Sequence, residues 1–407
     1  MKVLVYHNYY QQRGGEDQFF EDEANLLESR GHQVIRHTIH NDEIRDRRLL
    51  SVATKTLWNK EACKHLTELA NEHRPDVLHV VNTFPLFSPA IFHAARKLNL
   101  PTVASIQNYR MFCAQAMCFR DGKACEDCLG KIPWRAVKHG CYRGSRAGSA
   151  VVAGMQVLHR QLRTWQTCVD VICIASDFSK SKLVTAGCDP KQMMKKPNFV
   201  SVDPGPQKGD GKFALFVGRL AGEKGVDTLL EAWEKYQLPY PLKIVGDGPD
   251  ADLVKNAVRQ NSSIEWIGRV PNEEVYDWMG KAACLMFPSV GYESMPKTLI
   301  ESMAVGTPVI GADTASVPEV VVDGQTGHIF KGGDADSMAE KVRQFFDNPD
   351  EWPQFRSNCR LSFERRFTAE TNYRQLLNIY HEAMRRRGID VPDDMQENPA
   401  AHLSSSS

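Results

Sequence analysis

Short apolar runs alternate with amphipathic stretches along the chain. Residues 2–6, 33–38, 77–81, 102–106 and 171–175 are apolar and of strand length, while 16–30, 52–73, 89–98 and 147–166 place apolar residues at helical spacing. This alternation predicts a parallel sheet with helices on both faces. The pattern begins again after a Pro/Gly-rich stretch at 197–211, with apolar runs at 213–217, 242–245, 264–267, 284–287 and 308–310. Proline and glycine clustered between two periodic blocks mark a domain boundary. The expected architecture is therefore α/β, with two Rossmann-like domains, 1–196 and 212–368, facing each other across a cleft and joined by 197–211. Helical patterns follow at 336–346 and 370–387. The stretch 369–390 is expected to form a helix packing back towards the first domain, and 391–407, ending in four serines, to be a disordered tail.

Length and composition narrow the class. A chain of 407 residues exceeds one ordinary core and predicts two or three domains. Fifty basic residues balance fifty acidic ones, which argues against a dedicated nucleic-acid binder. The first six residues meet polar positions at once and do not form a secretory leader, and the weakly polar run 147–158 is too short to span a bilayer. Eleven scattered cysteines fit reduced thiols better than a disulfide framework, so a cytoplasmic location is expected.

The most informative stretch runs from Ser289 to Ala304. An apolar strand hands over to a helix there, with Pro296 suited to the first helical position, Glu293 in the preceding loop and Glu301 about one turn inside. Unpaired amides and the positive end of the helix dipole attract phosphate, and a carboxylate one turn along can accept hydrogen bonds from sugar or ribose hydroxyls. An ordinary capped βα unit with surface acids would carry the same residues. At the start of the second domain, Gly218-Arg219-Leu220-Ala221-Gly222-Glu223-Lys224-Gly225 leaves a strand and enters a helix. Arg219 offers a planar fork and Lys224 a point charge, which suits a diphosphate, although a solvated basic turn would also carry these charges. In the first domain Arg13-Gly14-Gly15-Glu16-Asp17 follows strand one and serves either a tight turn or a close ligand approach.

The ordered series Gly218-Arg219-Leu220, Glu223-Lys224-Gly225, Gly246-Asp247-Gly248-Pro249, Gly268-Arg269-Val270-Pro271, Tyr292-Glu293-Ser294-Met295-Pro296 and Ile300-Glu301-Ser302-Met303-Ala304 resembles glycosyltransferase family 4, retaining enzymes with the GT-B fold that use nucleotide sugars. The resemblance implies that Arg219 and Lys224 bind the donor diphosphate beside Gly218, with amides around Ser294, Met295, Lys297 and Thr298 completing the cradle. It implies that Glu293 holds hydroxyls of the transferred sugar, Glu301 holds the ribose, and Arg269 and Val270 lie by the base. Gly15 would line the cleft from the opposite domain. Within Ser105-Ile106-Gln107-Asn108-Tyr109-Arg110 many relatives have histidine where this chain has Gln107. Glutamine and Asn108 can bond a sugar hydroxyl but do not titrate near neutrality. His79 is an alternative contact, or simply a buried, satisfied histidine. No cofactor is required by this chemistry, in which the departing phosphate oxygen takes the acceptor's proton.

Residues 107–146 form a Cys-rich insert. Cys125 and Cys128 have zinc-knuckle spacing, and Cys113 or Cys118 with Cys141 would complete a structural zinc; reduced thiols packing a long loop are the alternative. Around them Lys131, Trp134, Arg135, Lys138, Arg143 and Arg146 form a basic strip that could rest on an anionic membrane at its inner face or meet a lipid-linked acceptor. A solvated face would look the same. The function expected is transfer of a sugar from a nucleoside-diphosphate sugar to a carbohydrate or lipid-linked acceptor in cell-surface polysaccharide or glycoconjugate synthesis. A nucleotide-sugar epimerase of similar architecture and a non-catalytic sugar-nucleotide-binding protein are the alternatives.

Overall fold

The computed structural model describes residues 1–45 and 48–390. The strands are β1 Lys2–Tyr9, β2 Gln33–His40, β3 Val77–Asn82, β4 Thr102–Ile106, the short β5 Phe119–Arg120 and β6 Lys123–Ala124, β7 Val171–Ile174, β8 Met193–Lys195, β9 Ala214–Val217, β10 Leu242–Val245, β11 Ile264–Gly268, β12 Cys284–Phe287, β13 Val309–Ala312 and β14 Gly327–Phe330. Two six-stranded parallel sheets result, ordered β2-β1-β3-β4-β7-β8 and β11-β10-β9-β12-β13-β14. Their central strands are buried on both faces, which is why they read as unbroken apolar runs and not as alternating ones. In each sheet the order reverses once, between β1 and β3 and between β9 and β12. Ligands of open α/β sheets bind at the carboxyl ends of the strands flanking such a reversal.

The helix Ala369–Arg386 returns to the first domain, where Leu376, Ile379, Tyr380 and Ala383 pack among Val3, Val5, Phe19 and Phe20. Its amphipathic stripe closes one face of the first sheet and ties the chain's end to its beginning. The expected helix over 52–73 is two helices, Leu49–Leu57 and Lys60–His73. The chain turns at Trp58 and Asn59, whose side chain caps the second helix by accepting from Ala62 N at 3.1 Å. The 147–166 pattern likewise divides into Arg146–Gln161 and Thr164–Cys168. Pro296 is one position earlier than expected: it is the N-cap, with an extended backbone, of the helix Lys297–Ala304. The tail expected from 391 onward lies outside the described residues.

Candidate functional site

The second sheet's reversal brings the two charged loops together. After β9 the chain makes a single 3-10 turn, Gly222–Lys224, and Gly225 then adopts a left-handed backbone with φ 70°. A Cβ at Gly225 would stand 2.1 Å from the Pro288 carbonyl oxygen, so glycine is what lets this turn lie against the loop after β12. The backbone joins them too, since Val290 N and Gly291 N both donate to the Glu223 carbonyl, at 3.0 and 2.9 Å. Lys224 Nζ consequently pairs with Glu293 Oε1, to which the Ser289 hydroxyl donates at 3.4 Å. Arg219 pairs with Glu223 and remains exposed.

Glu293, Ser294 and Met295 have backbone amides that donate to no acceptor among the described residues, and the helix beginning at Lys297 has no side-chain cap. Orphan amides at a helix start form a ready anion cradle. One turn in, Glu301 is half-buried, and its carboxylate accepts no hydrogen bond from any described residue. Burial raises its pKa, opposed by nearby Lys297 and reinforced by Asp22. A carboxylate in this condition gains from hydroxyl donors, which favour its charged form. Lys297 itself reaches across to Asp22 of the first domain. Gly218 lies at the end of β9, directly before Arg219. Arg269 is exposed beyond Gly268, while half-buried Val270 packs against the helix-covered face of the second sheet.

From the first domain, the Ser294 hydroxyl donates to the Gln107 carbonyl at 2.7 Å, and Tyr292 N donates to Met117 O at 3.1 Å. The Gln107 backbone therefore meets the loop after β12, while the Asn108 side chain turns to Glu16 of its own domain. Gly14 and Gly15 are exposed, neither has a left-handed backbone, and no atom lies within 4 Å of a Cβ placed on either. The loop is held instead by Asp17, which accepts from Gly14 N at 3.1 Å and pairs with buried His7 at 2.7 Å.

His79 is not a cleft residue. It is 1% exposed, and its Nδ1 and Nε2 engage the Tyr380 and Ser105 hydroxyls, each at 2.8 Å. Burial, with Lys196 nearby, pushes its pKa down to about 3, so it stays neutral and works as an interior hydrogen-bonding residue.

All eleven cysteines are free. Cys125 N donates to Cys118 O at 2.7 Å, and the Cys113 thiol is pushed down to about 6, chiefly by its hydrogen bond with Cys118. Cys128 is pushed up to about 11 by burial. Cys113, Cys125, Cys128 and Cys141 are neighbours, yet among the described residues no group of three or more His, Cys, Asp or Glu side chains is arranged to hold a metal ion.

Three contributions were not anticipated from the sequence: the Lys297–Asp22 pair, the contact of Tyr292 with the Cys-rich insert, and Glu16. Glu16 Oε2 accepts from Tyr10 OH at 2.7 Å and from Asn108 Nδ2 at 2.8 Å. Its place beside the double glycine was the available signal.

Comparison with known proteins bears on the fold and the family. Residues 202–361 match the family model described as glycosyl transferases group 1. An uncharacterized glycosyltransferase of Methanocaldococcus jannaschii is 30% identical over 177 residues, 43% of this chain and 49% of that one. The phosphatidyl-myo-inositol mannosyltransferase of Mycobacterium leprae is 29% identical over 197 residues, 46% and 53% of the two chains. The chain thus spans about half the length of the curated relatives it matches. The solved structure of Anabaena HepE in complex with UDP superposes with a TM-score of 0.67 at 15% identity, covering 93% of this chain and 99% of that one. The fold is GT-B. Two parallel Rossmann-like domains and a terminal helix returning to the first are the arrangement described above.

Proposed function

We propose that the protein is a retaining glycosyltransferase of the family 4 type, transferring a sugar from a nucleoside-diphosphate sugar to an acceptor hydroxyl in the synthesis of a cell-surface polysaccharide or glycoconjugate. The observation that carries this reading is the convergence, at the reversal point of the second sheet, of Arg219, Lys224, two carboxylates and three unpaired amides. The diphosphate takes Lys224 from Glu293 and Arg219 from Glu223, and its oxygens meet the amides of Glu293 to Met295 and the first helical amides at Lys297 and Thr298. Glu293, released from Lys224, receives hydroxyls of the transferred sugar. Glu301 receives the ribose, and Gly218, Arg269 and Val270 border the nucleoside. Gly15, Gln107 and Asn108 face the reaction from the first domain.

Transition-state stabilisation falls to the cations and amides, because charge develops on the departing diphosphate. That phosphate oxygen takes the acceptor's proton, so no titrating residue is needed at Gln107. One of the named relatives, a phosphatidyl-myo-inositol mannosyltransferase, supports a lipid-linked acceptor. Incubation with UDP-sugars, with and without candidate acceptors, tests the reading by following UDP release and the anomeric configuration of the product by NMR. Acceptor-dependent release with retained configuration is expected; an epimerised sugar formed without acceptor would overturn it in favour of an isomerase.

Glu301→Ala is expected to weaken UDP binding by about ten- to a hundredfold, the value of hydrogen bonds to a charged acceptor. Unchanged affinity by calorimetry would remove its ribose role.

We place the protein at the cytoplasmic face of a membrane, as a peripheral protein. Among the described residues no helix is long and apolar enough to cross a bilayer. Ile132 and Trp134 stand 68% and 57% exposed beside Lys131, Arg135 and Lys138, an apolar tip ringed by positive charge. Co-sedimentation with vesicles containing phosphatidylglycerol, lost in Trp134→Ala and in 0.5 M salt, where the Debye length falls to about 4 Å, is the expected result; binding equal to that on neutral vesicles would refute it.

A further inference from the structure

A pocket opens at the carboxyl ends of β3 and β4, on the first domain's side of the cleft. Its polar members include Glu16, Gln107, Asn108 and Arg110, and its walls include Phe84 and Trp165. The Gln107 carbonyl that receives the Ser294 hydroxyl at 2.7 Å puts the pocket next to the loop bearing Glu293. Whatever fills it lies beside the donor sugar.

Two side chains in this pocket are only partly used. Glu16 receives both of its hydrogen bonds on Oε2, leaving Oε1 without a donor among the described residues. Arg110 has no carboxylate partner among them either. Its Nη1 donates to the Ala114 carbonyl, its Cζ lies 4.4 Å from the Phe84 ring centroid, and its Nε is buried without an acceptor. No described acceptor meets Nη2. The Nε–Nη2 edge is the side on which a guanidinium takes a carboxylate or phosphate through two parallel bonds. A buried donor left without an acceptor is rare in folded proteins and calls for a specific explanation. A neutral sugar supplies hydroxyls that suit Glu16 Oε1 but no counter-charge for the arginine. The aromatic walls lower the local polarity and strengthen any charge pair formed there.

We propose that this pocket is the acceptor site and that it takes a hydroxylated acceptor bearing an anionic group, a carboxylate or a phosphate, with Glu16 Oε1 receiving the hydroxyl and the Nε–Nη2 edge of Arg110 receiving the anion. The inference rests on the transferase reading above and adds the acceptor's chemical class. Arg110 is a specificity-determining residue here, since it discriminates among acceptors without entering the donor chemistry.

The test uses the full chain saturated with UDP, so that Arg219 and Lys224 are occupied and cannot take the probe. D-glucuronate, glucose 6-phosphate and glucose are titrated separately, with binding read by thermal shift and calorimetry. At least one of the two anions is expected to bind about ten- to a hundredfold more tightly than glucose, the range for a charge-assisted pair. Which anion does so identifies the acceptor's charged group. Arg110→Gln is expected to abolish that preference while UDP affinity stays as in the wild type, and Arg110→Lys, which keeps the charge but not the fork, to retain part of it. Equal binding of anions and glucose by the wild type, or a preference that survives in Arg110→Gln, would overturn the proposal. Should Arg110→Gln fold poorly, the wild-type comparison and Arg110→Lys decide alone. Failure of UDP, ADP, GDP and CDP alike to bind the wild type would instead strike the transferase reading, so the two failures are told apart.

Discussion

Lys224→Ala is expected to lower kcat/KM by about 10²–10³-fold, the loss seen when one preorganised donor to a developing oxyanion is removed. Lys224 is fixed by backbone and not by its own packing. The 3-10 turn from Gly222 and the left-handed Gly225 behind it press this segment against Pro288, so the ammonium is delivered beside Glu293 whatever its rotamer entropy. Removing it has two consequences at once. The diphosphate loses a cation, and Glu293, which Lys224 had neutralised, stands unpaired beside an incoming dianion. Lys224→Ala/Glu293→Ala should therefore be less impaired in UDP affinity than the two single variants predict by addition, a coupling that a double-mutant cycle measures. Stability should change little, because the Lys224 and Glu293 side chains are 27% and 24% exposed and such partly solvated pairs contribute on the order of 1 kcal/mol or less. A variant that folds normally and turns over at the wild-type rate would remove Lys224 from the diphosphate site.

The same turn shows what the chain's pattern could and could not reveal. The two sheets were legible because buried parallel strands are continuous apolar runs separated by helical periods, and β3, β12 and β13 are of this kind. The short β8 and β14 were missed, since three or four residues at a sheet edge carry too little periodicity. In the second domain, glycine, arginine, lysine and glutamate at strand ends are the signal for the phosphate site proposed above. Their resting pairs, Arg219 with Glu223 and Lys224 with Glu293, depend on how two loops dock and leave no trace in spacing. His79 misleads for a related reason: a histidine within a strand has the same one-letter context whether it faces the cleft or, as here, the hydroxyls of Tyr380 and Ser105. The Tyr380 partner comes from 301 residues away and could not be inferred locally. The cysteine spacing in the insert matched a zinc knuckle, but spacing alone does not orient thiols: the cysteines come close to one another, yet among the described residues no group of three or more is arranged to hold a metal ion.

The largest expected effect on stability comes from Lys196, whose side chain is 0% exposed and pairs with Glu23, itself 3% exposed. Lys196→Met should destabilise the first domain by about 3–5 kcal/mol, because it strands a carboxylate in a low-dielectric interior. Glu23 has little reserve against this loss. Burial already raises its pKa, Lys196 is the first of the influences lowering it, and its Oε2 has no hydrogen-bond partner. Lys196→Met/Glu23→Leu should recover most of the loss, as apolar groups of similar volume often replace a buried pair at little cost. Thermal or urea unfolding of the single and double variants measures both; a single variant as stable as wild type would show that Glu23 is protonated or hydrated in place. The pair also bears on function. Glu23 follows Asp22, which holds Lys297 at the start of the helix Lys297–Ala304, so the two carboxylates fix the helix Gly15–Ser29 between the first domain's interior and the second domain's proposed phosphate cradle. If the double variant regains stability but binds UDP more weakly, the ionic pair sets the angle at which that helix presents Asp22. Full recovery of both would confine its role to filling the core.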